Sequence, residues 1–322
     1  MPAFHLLRKR FPDAHISWFV EPSGVALLEN FCGISEIVVV DVKSRRYFGK
    51  FSSIRALYRK YHGFFDLVID FQGLLKSSFL GFALGGVRIG FHRRNLREPI
   101  SAIFYHRRPS FFNENRHVIF KNIHLLSLLG IVGEEVDYPF QEPTPSSMLM
   151  DFLRASGLKD GKWALVNVGG GWSSKILQED QLEELVLRMV KHLRVALLWG
   201  NESEGRVAKR IAGKTGATLP PLLNFSDLIF LIRRSTLLIS ADTLALHLAD
   251  MVKTPSIGIF GPTSPVRNGS LLLESVSIHE RLECQFCYRR SCDTMECIRQ
   301  IDPAKIARIA EQMYDEQSRT CD

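Results

Sequence analysis

The sequence predicts two α/β domains, each built around a parallel sheet of the doubly wound type. Short apolar, β-branched runs alternate with segments of helical periodicity along almost the whole chain. The predicted strands are Ile16–Val20, Ile37–Val40, Leu67–Ile69 and Val87–Gly90 in the first half, then Ala164–Val168, Val195–Leu198, Leu237–Ser240, Ser256–Phe260 and a weaker Val276–His279. The clearest helical patterns are Gln181–Leu193, Gly205–Ala212, Ser226–Arg233, Leu244–Val252 and Pro303–Tyr314. Continuous apolar strands of this kind are typical of parallel sheets covered on both faces.

A proline-rich segment separates the two halves. Residues 138–147 contain Pro139, Pro143 and Pro145, and proline disfavours the interiors of helices and strands alike. The 322 residues suffice for two domains of about 150 each. We therefore predict a first domain over 1–143, a second over 144–322 and a cleft between them, with ligands beyond the carboxyl ends of the strands.

The composition excludes several classes of protein. The chain has 46% apolar and 23% charged residues, which is the composition of a globular protein rather than of a disordered or fibrous protein. It has no uninterrupted apolar run of about 18 residues, so a membrane-spanning helix is not expected. The first charges follow the first apolar residues, which is the wrong order for a secretory signal. The expectation is a cytoplasmic protein.

The positive charge is concentrated in the first half of the chain. Of the formal net charge of +7, six charges arise up to residue 150, where 19 Lys and Arg face 13 Asp and Glu. Part of the surplus lies between Arg88 and Arg108, where Glu98 is the single acidic residue. Such a stretch attracts phosphate, carboxylate or an anionic membrane surface, although an ordinary solvated face is an equal alternative. We find no nucleic-acid motif and expect no nucleic-acid partner.

Four of the six cysteines lie close together, at Cys284, Cys287, Cys292 and Cys297. Clustered cysteines in a cytosolic chain suggest metal more readily than disulfides. The spacing resembles a zinc knuckle only loosely, because four residues rather than two lie between Cys292 and Cys297. Free thiols in a loop are the favoured interpretation, and a metal site is the weaker one.

The strongest local signal opens the second half. A predicted strand runs into Gly169, Gly170 and Gly171, and Lys175 follows shortly before a helix. Glycines let backbone amides approach an anion, and a lysine adds a point charge. The pattern matches neither the Walker motif nor the dinucleotide fingerprint, and a plain glycine turn is the alternative.

Two further turns follow predicted strands of the same sheet. Asp242 or Thr243 stands where a helix N-cap belongs, and His247 is one helical turn further on. Glu204 lies just past the strand that ends at Leu198, where it would either bond sugar hydroxyls or simply favour a helix N-terminus. Because these turns share one edge of the sheet, we expect a nucleotide diphosphate to be held there.

These motifs together resemble glycosyltransferase family 9, the heptosyltransferases of lipopolysaccharide core assembly. The resemblance runs from about Pro2 to Gln317. Within the family, the chain most resembles the branch that adds the first heptose. It rests on the motifs Asn167-x-Gly169-x-x-Trp172-x-x-Lys175, Trp199-Gly200 with Glu204, Asp242-Thr243-x-x-x-His247, Phe260-Gly261-Pro262-Thr263-Ser264-Pro265, Asp70-Phe71-Gln72-Gly73-Leu74-Leu75-Lys76-Ser77 and Arg97-Glu98-Pro99. The four-cysteine run resembles a feature of other branches of the family.

The resemblance implies the GT-B fold, an ADP-L-glycero-D-manno-heptose donor and inverting transfer without a metal or other cofactor. It implies that Gly170, Gly171 and Lys175 hold the diphosphate, that Glu204 meets hydroxyl groups, and that Asp242, Thr243 and His247 complete the donor site. The implied acceptor is an anionic Kdo–lipid A at the inner-membrane surface, where the protein would be peripheral. The residues that would face this acceptor are Lys76, Arg93, Arg94 and Arg97.

Two departures from the family pattern bear on these expectations. Leu244 stands where family members commonly have glycine, and its side chain is expected to narrow the donor pocket. The family's first strand and the aspartate expected as general base would precede Met1, so the first strand is expected to be missing and the base is not assigned. An incomplete gene start is the favoured explanation, and neither Asp13 nor Asp70 is promoted to base in its place.

Three other functions compete with the heptosyltransferase. One is a non-catalytic or catalytically impaired homologue that only binds a nucleotide sugar. Another is a nucleotide-sugar epimerase of similar two-domain build, which would need no acceptor. The last is a basic nucleic-acid binder, which would show steeply salt-dependent binding.

Overall fold

The structure is a computed structural model that describes residues 1–41, 55–158 and 162–320. Contacts divide the chain into two compact units, Met1–Gln141 (unit 1) and Glu142–Asp322 (unit 2). The predicted division after residue 143 lies two residues beyond this one. In the described part of the chain, no helix is both long enough and apolar enough to cross a membrane.

Unit 1 contains parallel strand pairs flanked by helices. Its elements are α1 (Pro2–Arg10), β1 (Ser17–Val20), α2 (Val25–Leu28), β2 (Glu36–Val39), α3 (55–61), β3 (Leu67–Ile69), α4 (Leu75–Leu84), β4 (Val87–Ile89) and α5 (Val118–Leu125), with short 3-10 helices at Pro22–Gly24, Arg93–Asn95, Pro99–Phe104 and Leu126–Leu129. Strand β1 pairs with β2, and β3 pairs with β4, so the described strands form two separate two-stranded sheets. The predicted strands of the first half are thus present, but they do not form one continuous sheet.

A buried carboxylate organises the turn that leads into α4. Asp70 accepts hydrogen bonds from the amides of Gln72 and Gly73 and from the hydroxyls of Ser77 and Tyr105. An aspartate that accepts from backbone amides two and three residues further on stabilises a turn, and this turn ends just before the N-cap residue Leu74. Asp70 therefore has a structural role in the turn that precedes α4.

Unit 2 is built around a single five-stranded parallel sheet with the order β6-β5-β7-β8-β9. Its elements are α6 (Ser147–Ala155), β5 (Ala164–Asn167), α7 (Glu179–Met189), β6 (Val195–Leu198), α8 (Glu202–Thr215), α9 (Phe225–Arg234), β7 (Leu237–Ala241), α10 (Leu244–Val252), β8 (Ser256–Ile259), α11 (Pro265–Asn268), β9 (Val276–Ile278), α12 (Glu296–Arg299) and α13 (Pro303–Thr320), with a 3-10 turn at Ser173–Lys175. Every residue of β6, β7 and β8 is buried, as expected for parallel strands covered on both faces. The strands predicted in the second half are all present.

Helix caps fix where the turns of unit 2 end. Asn201 accepts a hydrogen bond from the amide of Glu204 at the start of α8, and Asn224 accepts one from the amide of Asp227 at the start of α9. Asparagine is among the preferred N-cap residues. The cap at Asn201 matters most, because it sets the position of Glu204 at the edge of the sheet.

Candidate donor-binding site in unit 2

Three βα turns of unit 2 meet at the carboxyl edge of the sheet. They follow β5, β6 and β7, and β5 lies between the other two strands. The turns are 168–175, 199–204 and 242–244. Side chains from each turn contact a neighbouring turn, so the structure brings the candidate donor residues of this sheet together.

Glu204 holds two of these turns together. Its carboxylate accepts hydrogen bonds from the amide of Gly170 at 3.2 Å and from that of Gly200 at 2.7 Å. A Cβ on Gly169 would lie 2.0 Å from the Glu204 carboxyl carbon, so a side chain there would displace this carboxylate. Thus the carboxylate that we expected to meet hydroxyl groups also shapes the glycine turn, and the amide of Gly170 already has a partner.

Lys175 and Asp242 form an ion pair with little exposure to solvent. The ammonium lies 2.8 Å from the Asp242 carboxylate, and it also donates to the backbone carbonyl of Asp242 at 3.1 Å. Asn268 donates to the same carboxylate at 3.1 Å, and the His247 ring is 3.6 Å away. Burial by itself favours the neutral acid, but the contacts with His247 and Lys175 outweigh it and lower the pKa of the Asp242 carboxyl. Asp242 therefore stays ionised and fixes the ammonium at the sheet edge.

Lys175 also contacts an aromatic ring that sequence reasoning gave no role. Its ammonium lies 4.2 Å from the centre of the Trp172 ring, and the Arg290 guanidinium lies 5.4 Å from the same ring. The buried Ser174 hydroxyl donates to the carbonyl of Arg289 at 2.7 Å. The segment that carries the cysteines thus packs against the glycine turn and brings positive charge to it, although it is more than 100 residues away in sequence.

Thr243 is the N-cap residue of α10, but its side chain does not cap the helix. Its hydroxyl lies 2.9 Å from the Ser240 hydroxyl and accepts a hydrogen bond from the Asn167 amide at 3.2 Å. Asn167 also donates to the Gly169 carbonyl, so this network joins the ends of β5 and β7. Leu244, which we expected to narrow the donor pocket, is 48% exposed at the first position of α10.

Sequence reasoning missed Asn167, Asn268 and Arg290 as partners of this site. Asn167 belonged to the quoted motif without a role of its own. Asn268 ends the short helix α11 that follows the Pro-Thr-Ser-Pro run, which the sequence had already singled out. No periodicity or spacing pointed to Arg290, because its position depends on the path of an irregular segment.

The four clustered cysteines are free thiols. Cys284 and Cys287 are exposed, whereas burial and then the neighbouring thiols raise the pKa of Cys297. Within residues 1–41, 55–158 and 162–320, no three His, Cys, Asp or Glu side chains form a group that could hold a metal ion. The segment is also strained, because Phe286, Tyr288 and Met295 have positive φ angles of 58°, 56° and 49°.

The candidate acceptor residues are in unit 1 and are mostly exposed. Lys76 pairs with Glu21, and the Arg94 guanidinium lies 5.7 Å from the centre of the Phe111 ring. Arg93 and Arg97 are exposed, in and just after the 3-10 turn Arg93–Asn95. Glu98, the acidic residue of this stretch, accepts a hydrogen bond from the amide of Leu75 at the start of α4.

Comparisons with known proteins agree with this arrangement. Lipopolysaccharide heptosyltransferase 1 of Campylobacter coli is 26% identical over 278 residues, which cover 81% of this chain and 79% of that protein. The protein of the same name from Pseudomonas aeruginosa is 29% identical over 71% of this chain and 63% of its own length. The solved structure of the E. coli heptosyltransferase WaaC with ADP superposes with a TM-score of 0.75 at 20% identity, covering 97% of this chain and 94% of that one.

The fold is therefore that of the two-domain GT-B heptosyltransferases, as the resemblance implied. Residues 54–298, three quarters of the chain, match the family described as glycosyltransferase family 9 (heptosyltransferase). The match includes the glycine turn, the Lys175–Asp242 pair and the whole basic stretch of unit 1 from Arg88 to Arg108. The chain belongs to glycosyltransferase family 9 and is a glycosyltransferase.

Proposed function

We propose that this protein transfers a heptose from ADP-L-glycero-D-manno-heptose to the Kdo–lipid A portion of the lipopolysaccharide inner core. The observation that carries the proposal is the nearly buried Lys175–Asp242 pair at the carboxyl edge of the unit 2 sheet. Membership of the family and the names of the relatives support the same reaction.

In this reaction the acceptor hydroxyl attacks the anomeric carbon and the bond from that carbon to the β-phosphate oxygen breaks. The electron pair and a growing negative charge go to the ADP leaving group, and the hydroxyl proton goes to a base that we do not assign. A lysine ammonium has three protons. Two of them reach Asp242 in this structure, which leaves one for a phosphate oxygen. Lys175 thus stabilises the leaving charge electrostatically.

The other donor residues have complementary roles in the proposal. A Cβ on Gly171 would meet no atom within 4 Å, so the space beside this residue is open. Because glycine leaves that space free, the diphosphate can approach the backbone there closely. Gly170 and Glu204 set the path of the turn, and Glu204 keeps acceptor capacity for a ribose or sugar hydroxyl. Thr243 and the exposed His247 lie at the start of α10, where the N-terminal end of the helix dipole favours an anion.

The proposed acceptor site is the exposed basic stretch of unit 1. Lys76, Arg93, Arg94 and Arg97 would bind the phosphates and acidic sugars of a Kdo–lipid A acceptor through charge-assisted hydrogen bonds. Such an acceptor is embedded in a bilayer, so the proposal places the protein in the cytoplasm as a peripheral protein of the inner membrane.

The test measures ADP release from ADP-heptose with and without a Kdo–lipid A acceptor. We expect release that depends on the acceptor, and we expect Lys175→Ala to slow it about 100-fold or more. Lys214→Ala is the matched control, because it removes an exposed ion pair with Glu183 in the same unit. ADP binding by calorimetry is followed in parallel. Binding of ADP without any acceptor-dependent release would reject the transferase and favour a protein that only binds nucleotide sugars.

A further inference from the structure

Three large apolar side chains of helix α4 point to solvent rather than into the core. Leu75, Phe79 and Phe82 follow the i, i+4, i+7 spacing of one helical face, yet they are 43%, 45% and 50% exposed. The face that packs inward consists of Ser78, Gly81 and Leu84. The small residues let α4 approach β3 closely, since a Cβ on Gly81 would already lie 3.3 Å from Val68.

The neighbouring 3-10 helix extends this exposed apolar surface. Helix α4 packs beside Pro99–Phe104, where Ile100 and Ile103 are 58% and 72% exposed. Side chains three residues apart eclipse one another in a 3-10 helix, so these two share a face. The rings of Phe79 and Phe82 lie 6.0 Å and 5.7 Å from that of Phe104, which joins the two helices into one surface. We call this surface the apolar ridge: Leu75, Phe79, Phe82, Ile100, Ile103 and Phe104.

Positive charge borders the apolar ridge. The Arg88 guanidinium lies 5.3 Å from the centre of the Phe82 ring and donates to the carbonyl of Phe104. Arg108 donates to the carbonyl of Ala102 in the 3-10 helix. From Leu75 to Arg108 the sequence has seven Lys and Arg residues against one acidic residue, Glu98, whose carboxylate accepts from the amide of Leu75. An acidic or purely apolar partner would match only one of these two features.

We propose that the apolar ridge is the surface by which this protein docks on an anionic lipid bilayer, with its aromatic and aliphatic side chains at the headgroup level and its basic border on lipid phosphates. Aromatic side chains beside arginines are typical of such interfaces. Electrostatic attraction and apolar burial add, and anionic lipid attracts each nearby Lys or Arg. The inference deepens the proposed function, because the proposed acceptor residues Lys76, Arg93, Arg94 and Arg97 lie on the same two helices or beside them.

The test is flotation of the full chain with vesicles, without any nucleotide sugar. One set is phosphatidylcholine alone, and the other contains about one third phosphatidylglycerol. We expect the wild type to bind the anionic vesicles and salt to weaken this binding. The affinity for these vesicles should fall about tenfold or more in Phe79→Ser/Phe82→Ser. The matched control is Leu222→Ser/Leu273→Ser, which removes two exposed leucines of unit 2. If the ridge variant binds as tightly as the wild type, or if the wild type does not bind anionic vesicles, the proposal is overturned.

Two further measurements separate the alternatives. Transfer to an acceptor stripped of its acyl chains should be unchanged in the ridge variant, so a failed ridge and a failed transferase give different results.

Phe82→Trp preserves an aromatic ring at this position. Lipids with brominated acyl chains should quench its tryptophan fluorescence more than they quench that of the wild type. Absence of that quenching rejects the ridge even if the serine variant does not fold. A wild-type dimer that the serine variant converts to monomer, without vesicle binding, would assign the ridge to self-association instead.

Discussion

In unit 2 five strands form one parallel sheet in which β6, β7 and β8 are fully buried. The described strands of unit 1 form two parallel pairs that are mostly half-buried. The candidate donor site of unit 2 follows from its sheet, because adjacent strand ends bring distant turns into contact. In unit 1 the functional surface that we propose lies on helix faces, and its apolar side chains point outward. The same alternation of strand and helix therefore leads to a site at a sheet edge in one unit and to a docking surface in the other.

The largest expected difference between the units is in local stability. Two-stranded sheets are marginal on their own, and three or more strands with a covered face are much more stable. We expect the amides of β5 and β7 to exchange with solvent about 1000-fold more slowly than those of β1 and β3. Hydrogen exchange of the intact chain, followed by mass spectrometry of peptides, measures both units in one sample. Equal protection of the four strands would mean that the division of the unit 1 sheet carries no energetic cost.

The next test concerns the ion pair that distinguishes the edge of the unit 2 sheet. Asp242→Asn leaves Lys175 as a nearly buried cation without its partner, and we expect the free energy of unfolding at pH 7 to fall by about 3 kcal/mol. The folded pKa of Asp242 is lowered, so its contribution is present at neutral pH and is lost as the pH falls below about 4. Urea unfolding of the wild type and of Asp242→Asn at pH 7 and at about pH 3 should therefore show a smaller difference in the free energy of unfolding at the lower pH.

Asp151→Asn provides the matched control for this prediction. Asp151 pairs with Arg154 on the exposed face of α6, where both side chains are more than half exposed. Exposed pairs of this kind contribute less than about 1 kcal/mol. If Asp242→Asn costs no more than the control, the Lys175–Asp242 pair is not the fixed charge that the proposed mechanism requires.

The sequence predicted the sheets better than it predicted their contacts. Apolar, β-branched runs identified the strands, and the glycines and cap residues after β5, β6 and β7 identified the sheet edge. The link from Glu204 to Gly170 spans 34 residues and depends on how far a side chain reaches, which no spacing rule gives. Helix α4 is apolar on nearly every side, so periodicity could not tell which face is buried. Only packing against β3 decides it, through the small residues Ser78 and Gly81.

The smallest effect that we predict tests how unit 1 holds its shape around Asp70. The buried Tyr105 hydroxyl donates to the Asp70 carboxylate at 2.7 Å, while three other hydrogen bonds reach the same carboxylate. Tyr105→Phe removes one of four donors and should lower the free energy of unfolding by about 1–2 kcal/mol. Burial, and then the negative charge of Asp70, raise the pKa of Tyr105, so the loss should be constant from about pH 6 to 9. Above about pH 10 the wild type should lose this contribution as the unfolded chain ionises.

Tyr58→Phe is the comparison for this last measurement, because Tyr58 lies on helix α3 of the same unit, is 46% exposed and stacks on His62. We expect it to change stability by less than about 0.5 kcal/mol. A difference between the two variants would show that unit 1, with its short strand pairs, depends on buried side-chain hydrogen bonds where unit 2 depends on its sheet. An equal effect would mean that the Asp70 turn is held by the amides of Gln72 and Gly73 and the hydroxyl of Ser77. The start of α4, and with it the apolar ridge, would then be positioned without Tyr105.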